Sequence, residues 1–272
     1  MRRSLFVCLL FVGMSANAQS YKDLVKQGMH QMEVDSLVQA EATLRQAIEL
    51  EPAMKSNALL YLHIAHIQEH TNRLQEALDS YSKGLEQAPA NVDILADRAS
   101  LYFRLGNDER AINDYSSMLT VEPNNKKALL LRAWLYARKR DYKHARQDYD
   151  QLLVVDPIHE EALMGLCILN SKDGRPREAM EQANNLVLYF PTHADNYVVR
   201  AGLHQDRKNY ELALLDYNKA ISLEPENPDH LISRAGCYTV MRKKKLARQD
   251  LQEALNMGGD KALIAEMKAR VK

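Results

Sequence analysis

Three basic side chains recur at one interval in the middle of the chain. Arg104, Arg138 and Lys172 are separated by 34 residues each, and the only tryptophan, Trp134, lies four residues before Arg138. Arginine beside an aromatic ring is typical of binding hot spots, because the pair offers charge, hydrogen-bond donors and a large apolar surface. This combination predicts binding of a partner that presents acidic and apolar groups together, provided that the fold brings the four residues to one surface.

A second candidate for chemistry is a group of histidines nearer the N-terminus. His66 and His70 are four residues apart, which places both imidazoles on one face of a helix, and His63 lies one turn before them. Neutral imidazoles bind transition metals, and histidine also titrates near neutral pH. A metal needs another ligand from a different element, which the sequence does not provide. A metal site and a pH-responsive patch stay open, while ordinary polar lining is favoured; no metal and no cofactor are predicted.

Known catalytic motifs are absent from the sequence. It contains no nucleophile elbow, no glycine-rich phosphate loop and no zinc-protease helix motif. Its 36 basic and 36 acidic side chains balance, so it lacks the excess of positive charge that nucleic-acid binding requires. A content of 46% hydrophobic residues is that of a folded domain. We therefore expect a folded protein that is not an enzyme and does not bind nucleic acid.

The N-terminal segment has the features of a secretory signal peptide. Arg2 and Arg3 precede an apolar run over residues 5–14, and a small-residue cleavage motif ends at Ala18. A membrane-spanning helix needs about 20 apolar residues, roughly twice the length of this run. We predict that residues 1–18 are removed, that no membrane span remains, and that the mature protein is periplasmic or secreted.

The elements that must position the candidate residues appear as an internal repeat. Proline recurs at an interval of 34 after a first interval of 37, and an alanine stands twelve residues before each proline. A large residue usually stands eight positions before each proline. The prolines are Pro52, Pro89, Pro123, Pro157, Pro191 and Pro225. The alanines are Ala40, Ala77, Ala111, Ala145, Ala179 and Ala213, and the residues four after them are Leu44, Tyr81, Tyr115, Tyr149, Ala183 and Tyr217.

Each unit of the repeat has the pattern of a helical hairpin. In the fourth unit, Leu129 and Ala133 lie at helical spacing, as do Ala145 and Tyr149, with a polar turn at residues 139–141 between them. The proline ends the second helix, because the residue before proline is pushed out of the α region. Small residues let the helices approach closely, and neighbouring hairpins must stack to bury their apolar faces.

These features together resemble the tetratricopeptide repeat. The resemblance rests on a small residue followed by tyrosine three positions on (Tyr102, Tyr136, Tyr238), the alanine of the second helix, the tyrosine or leucine after it, and the terminal proline. A seventh unit keeps Ala247 and Leu251 but has Gly259 instead of proline. The repeats are expected at 21–54, 58–91, 92–125, 126–159, 160–193, 194–227 and 228–261, followed by a capping helix at 262–272.

The resemblance implies an all-α, α-α superhelical solenoid of seven hairpins that binds a protein or peptide. Ligands of such proteins usually lie along the inner wall made by the first helix of each hairpin. The residues expected to line that groove are Phe103, Arg104, Leu130, Trp134, Arg138, Met164, Ile168 and Lys172. In the simpler interpretation, the basic residues form a solvated face and Trp134 seals a gap between helices.

A different function is also compatible with the pattern. The chain could be a structural module that self-associates or docks onto a larger assembly through its outer helices, with an empty groove. The lysine and asparagine clamp by which some family members hold a terminal carboxylate has no support here, since Ser100, Trp134 and Ile168 stand at the asparagine position. The sequence does not specify the partner or the oligomeric state.

Two further expectations concern side chains inside the array. Arginine precedes the small position, and aspartate precedes the tyrosine or leucine, in the same four repeats. The joint pattern suggests the pairs Arg98–Asp114, Arg132–Asp148, Arg200–Asp216 and Arg234–Asp250 within the hairpins, although a shared duplication history would explain it equally well. Cys167 and Cys237 lie two repeats apart, which is too far for a disulfide, so both are expected to be buried thiols.

Overall fold

The computed structural model describes residues 19–271, and within this range the chain forms fifteen α-helices and no β-strand. The predicted signal peptide at residues 1–18 lies outside the described residues. The chain divides into two compact units, the first ending at Leu105 and the second beginning at Gly106. No helix within residues 19–271 has the length and apolar content needed to cross a membrane.

The first unit contains five described helices. They are α1 (Tyr21–Glu33), α2 (Leu37–Leu50), α3 (Asn57–His70), α4 (Leu74–Gln87) and α5 (Val92–Arg104). Helices α1 and α2 pack together, as do α3 and α4, and α5 lies against α4.

The second unit contains ten helices. They are α6 (Asp108–Val121), α7 (Lys126–Arg138), α8 (Tyr142–Val155), α9 (Glu160–Lys172), α10 (Pro176–Tyr189), α11 (Ala194–Asp206), α12 (Tyr210–Leu223), α13 (Pro228–Val240), α14 (Lys244–Asn256) and α15 (Lys261–Arg270). The closest packing is between α7 and α8, α9 and α10, α11 and α12, and α13 and α14, while α15 packs on α14. The predicted all-α fold of stacked helical hairpins is confirmed.

The second helix of a hairpin ends where the proline predicts. The residue before each of the six prolines is the C-cap, with φ between −143° and −126° and ψ between 62° and 89°, outside the α region. The first helices end differently, through a residue with positive φ such as Arg140 (62°) or Gly174 (70°). The turn inside a hairpin therefore depends on one left-handed residue, and the turn between hairpins on proline.

Small and large residues pack as the repeat predicts. The repeated alanines, from Ala40 to Ala247, are fully buried. Tyr81 and Tyr149 are 0% and 2% exposed. In the second unit, Ala133, Ala145, Tyr149 and Leu152 belong to one apolar cluster.

The Arg–Asp pairs are confirmed in repeats four, six and seven. Arg132 donates to both carboxylate oxygens of Asp148, at 2.8 Å from Nε and 2.7 Å from Nη2. Arg200–Asp216 and Arg234–Asp250 repeat this geometry. Nη1 of Arg132 also donates to Ser116 of the preceding helix at 2.9 Å. Because the Asp148 side chain is only 7% exposed, the pair is a largely buried tie between the two helices of one hairpin and more than a weak surface contact.

Both cysteines are buried free thiols, as predicted. Burial raises the pKa of the Cys167 thiol to about 12. Its Sγ lies 3.3 Å from the carbonyl oxygen of Ala179 and donates to it. This thiol therefore belongs to the packing between α9 and α10 and is not a reactive group.

Candidate functional site

Four of the predicted groove residues line one pocket in the second unit, which we call the Trp134 pocket. It encloses about 230 Å³ between α7, α8 and α9. Its lining is Trp134, Ala137 and Arg138 from α7, Tyr142 and Tyr149 from α8, and Gly165, Ile168, Leu169 and Lys172 from α9. A cavity of about 150 Å³ accommodates benzene, so the volume is sufficient for a large side chain of a partner.

Arg138 holds one edge of the Trp134 pocket through two contacts. Its guanidinium forms a salt bridge with Asp108, with Nε 2.8 Å from Oδ2, and lies 4.9 Å from the centroid of the Trp134 ring. The Trp134 side chain remains 44% exposed. A cation over a tryptophan ring restrains that ring, so the pocket presents its indole in a defined position.

Lys172 is the second cation that lines the pocket. Its side chain is exposed, and in the part of the chain that the structure describes no carboxylate lies within salt-bridge distance of its ammonium group. No carboxylate lines the Trp134 pocket either. The pocket therefore combines an apolar lining with a net positive charge.

The floor of the Trp134 pocket is the buried ring of Tyr149. A Cβ built on Gly165 would lie 2.4 Å from the ring carbon Cζ, so only glycine leaves room for the ring. Within the described residues, the Tyr149 hydroxyl has no hydrogen-bond partner. Burial raises the pKa of Tyr149 to about 12, and the neighbouring Asp148 adds to this shift. The hydroxyl stays protonated at neutral pH and can donate a hydrogen bond.

A second pocket lies on the other side of α9, and we call it the Gly202 pocket. It encloses about 240 Å³ and shares Ile168 and Lys172 with the Trp134 pocket. Its remaining lining is Cys167, Ser171, Val198, Val199, Gly202, Leu203 and Asp206. Ala183 stands in this repeat where Tyr149 stands in the previous one, and the lining of the Gly202 pocket accordingly includes no tyrosine ring.

The first unit has a pocket at the equivalent position of the repeat, which we call the His66 pocket. It encloses about 220 Å³ and is lined by His66, Glu69, Tyr81, Asp97, Ser100 and Arg104. Each of these residues lies 68 positions, or two repeats, before Trp134, Ala137, Tyr149, Gly165, Ile168 and Lys172, respectively. The two pockets are therefore built on the same six repeat positions with different side chains.

The polar groups of the His66 pocket bond to one another. Tyr81 donates from its hydroxyl to Glu69 Oε1 at 2.5 Å, and Arg104 forms a salt bridge with the other Glu69 oxygen. His66 Nε2 lies 2.7 Å from Asp97 Oδ2. The hydrogen bond to Asp97 raises the pKa of His66, whereas burial and the neighbouring His66 lower the pKa of His63. This pocket is an internally satisfied ion-pair network.

The remaining predicted groove residues have other positions. Leu130 and Met164 are half-buried and pack against the apolar clusters of the second unit. Phe103 is half-buried in the first unit, where Arg104 also lies. Tyr149, Gly165 and Gly202 also line the pockets and were not predicted, because a repeated tyrosine indicates core packing and a glycine offers no side chain for binding.

The structure gives no support for a metal site within residues 19–271. No group of three or more histidine, cysteine, aspartate or glutamate side chains there is arranged to hold a metal ion. His66 is engaged by Asp97, and His70 is exposed at the end of α3. Of the three histidines on this helix, His66 pairs with Asp97 and His63 lies beside His66.

Comparison with known proteins identifies the family. A tetratricopeptide repeat model matches residues 25–92 and 96–166, and a second model of this description matches residues 194–227. The chain belongs to the tetratricopeptide repeat family. Members of this family are generally non-catalytic, and membership supports a protein-interaction scaffold. No curated protein matches this tetratricopeptide repeat chain in sequence.

Several solved structures resemble this tetratricopeptide repeat protein. One from Parabacteroides merdae is 32% identical, with a TM-score of 0.66 over 93% of this chain and 99% of that one. YrrB, described as having an unusual peptide-binding site, is 21% identical, with a TM-score of 0.56 over 67% of this chain and 92% of its own. PilF of Pseudomonas aeruginosa is 16% identical, with a TM-score of 0.60 over 79% of this chain and 98% of its own. YrrB and PilF show the common fold alone.

Proposed function

We propose that this protein is a non-enzymatic scaffold that binds a peptide segment of a partner protein on the first-helix surface of α7, α9 and α11. The observation that carries the proposal is the pair of adjoining pockets on either side of α9. Both have mostly apolar linings, both open to solvent, and Trp134 stands half-exposed at one of them. A half-exposed tryptophan held by an arginine is the kind of anchor on which partner side chains pack. The peptide-binding site named for YrrB agrees with this use of the fold.

The test uses the protein's only tryptophan as its probe. Short peptides selected from a random display library against the mature chain should shift the Trp134 emission on binding, because this indole lies in the proposed site. An Ile168→Ser variant should weaken binding, since Ile168 lines both pockets. Leu263→Ser, on α15 and 42% exposed like Ile168, is the matched control. Selected peptides that leave the emission unchanged and bind Ile168→Ser as well as wild type would place the binding surface elsewhere.

A structural role through the second helices is the alternative, and one observation favours it. Val154 on α8, Leu188 on α10 and Leu215 on α12 are 75%, 69% and 64% exposed. Exposed aliphatic side chains of this kind mark association surfaces when they are contiguous. Sedimentation velocity of wild type and of a Val154→Lys/Leu188→Lys/Leu215→Lys variant separates the two functions. A wild-type oligomer that the triple variant dissociates would favour assembly, and a monomer would favour peptide binding.

We also propose that the protein acts outside the cytoplasm. The basic start at Arg2 and Arg3, the apolar run over residues 5–14 and the small residues up to Ala18 support a cleaved signal peptide. Expression of the full chain followed by intact-mass analysis of the periplasmic fraction should yield a protein that begins at Gln19. Recovery of the uncleaved chain in the cytoplasm would contradict this localisation.

A further inference from the structure

The His66 pocket shows how the repeat holds a carboxylate. Glu69 lies between the Tyr81 hydroxyl, 2.5 Å away, and the Arg104 guanidinium. The tyrosine comes from the second helix of the hairpin and the arginine from the first helix of the next one. A hydroxyl donor and a cation thus converge on one acidic side chain.

The Trp134 pocket keeps both donors and lacks the acceptor. Tyr149 stands at the position of Tyr81 and Lys172 at that of Arg104, two repeats later, but Ala137 replaces Glu69. In the sixth repeat, Gln205 supplies an acceptor at this position, 3.5 Å from the Tyr217 hydroxyl. The fourth repeat therefore leaves a tyrosine hydroxyl and a lysine at this pocket without the acidic group that their counterparts bind.

The other substitutions favour an incoming carboxylate. Gly165 replaces Asp97, which removes the second negative charge of the His66 pocket and opens space over the Tyr149 ring. Ile168 and Trp134 replace Ser100 and His66, so the surroundings are apolar and strengthen any charge-assisted hydrogen bond. Among residues 19–271, no carboxylate lines this pocket to repel the ligand.

We propose that the partner supplies the missing carboxylate, as an aspartate or glutamate side chain that accepts a hydrogen bond from the Tyr149 hydroxyl and pairs with Lys172. This inference rests on the proposed peptide-binding function and specifies the chemistry of its ligand. Because Lys172 also lines the Gly202 pocket, the acidic residue of the partner lies between the Trp134 pocket and the Gly202 pocket, both of which are mostly apolar. Asp206 lines the Gly202 pocket and repels a second carboxylate there. The segment therefore carries one internal acidic residue with apolar neighbours.

Synthetic peptides test the proposal directly. Library-selected peptides are made with both ends blocked, so that the side chain is their only carboxylate, and are compared with versions that carry glutamine instead. The acidic peptide should bind wild type about tenfold more tightly, which is the value of a hydrogen bond to a charged group. Tyr149→Phe and Lys172→Met should each remove most of this preference, while the glutamine peptide is little affected. Leu263→Ser should leave the preference unchanged.

A variant of the protein itself tests the same geometry without a bound peptide. Ala137→Glu places a carboxylate of the chain at the Glu69 position, so it should raise the melting temperature above that of Ala137→Gln and abolish binding of the acidic peptide. The rise should disappear when Tyr149→Phe is combined with Ala137→Glu. Equal melting temperatures and undisturbed peptide binding would show that no acceptor fits between these donors.

The possible outcomes separate this inference from the proposed function. Peptides that shift the Trp134 emission but bind equally well with glutamate or glutamine overturn the proposal that a carboxylate is bound, and they leave the groove as the binding site. Tighter binding of a glutamine peptide with a free C-terminus would overturn the proposal that the carboxylate comes from a side chain. Peptides that leave the emission unchanged overturn both. An acidic preference lost in Tyr149→Phe and Lys172→Met supports both.

Discussion

The His66 and Trp134 pockets occupy equivalent positions of the repeat and differ in how their polar groups are satisfied. In the first unit, Glu69 and Asp97 bond to the neighbouring tyrosine, arginine and histidine. In the second, alanine and glycine stand at those two positions, and the tyrosine hydroxyl has no partner among the described residues. The same backbone thus supports a closed ion-pair network in one place and an open apolar site in another. The two pockets differ at these positions by two carboxylates, which the first has and the second lacks.

Truncating the buried tyrosines should produce the largest effects and should not distinguish the pockets. Tyr149→Ala and Tyr81→Ala each leave a cavity in a close-packed hairpin, at a cost of about 3–5 kcal/mol in the free energy of unfolding. Urea unfolding followed by circular dichroism measures both. A much smaller cost for Tyr149→Ala would mean that the ring lines an open surface and is not part of the core.

Two helical glycines, one in the Trp134 pocket and one in the Gly202 pocket, test how closely the Tyr149 ring packs against its helix. Gly165→Ala should lower the free energy of unfolding by about 1–3 kcal/mol, since its Cβ would overlap the Tyr149 ring. Gly202→Ala is the matched control, with nothing within 4 Å of the added carbon, and should stabilise by about 0.4–1 kcal/mol. The same urea series measures both. Stabilisation by both substitutions would show that the Tyr149 ring can move aside freely.

Removing only the hydroxyl groups is the most specific comparison. Tyr81→Phe should cost about 1–2 kcal/mol, because Glu69 loses a hydrogen bond. Tyr149→Phe should change the free energy of unfolding by less than about 0.5 kcal/mol in the absence of ligand. Equal losses in the two variants would indicate that the Tyr149 hydroxyl already has a partner in the free protein.

The smallest expected effect is a pH dependence of stability that His66 contributes to its pocket. The pKa of His66 is raised in the folded state, so its stabilisation is complete below the unfolded value of about 6.5 and is lost as pH rises through the folded pKa. His66→Gln should therefore lower stability more at about pH 5.5 than at about pH 9. His204→Gln should show the opposite trend, since burial lowers the pKa of His204. Thermal melts at both pH values, with His63, Glu69 and Asp97 unchanged, measure the difference.

Local patterns in the chain were sufficient to predict the hairpins and their internal ties. Helical spacing, the fully buried alanines and the proline that ends each second helix are properties of short segments, so they can be read without the tertiary structure. The pairing of Arg132 with Asp148 follows from their joint occurrence in the same repeats. The regular interval also brought Trp134, Arg138, Ile168 and Lys172 together as candidates, and these four line one pocket.

The amino-acid sequence by itself determined the repeat and the helices, because both depend on residues close together in the chain. Only the tertiary structure distinguished Tyr149 from Tyr81, which occupy the same position of the repeat and are both buried. Their difference depends on Ala137 and Gly165, which come from the helices on either side of Tyr149, and on Glu69 and Asp97 at the matching positions. Equally spaced cations likewise differ in their partners, since Arg104 and Arg138 bind Glu69 and Asp108 whereas Lys172 faces two open pockets. Whether a polar group is satisfied depends on neighbours that packing brings from distant parts of the chain, and that is decided in three dimensions.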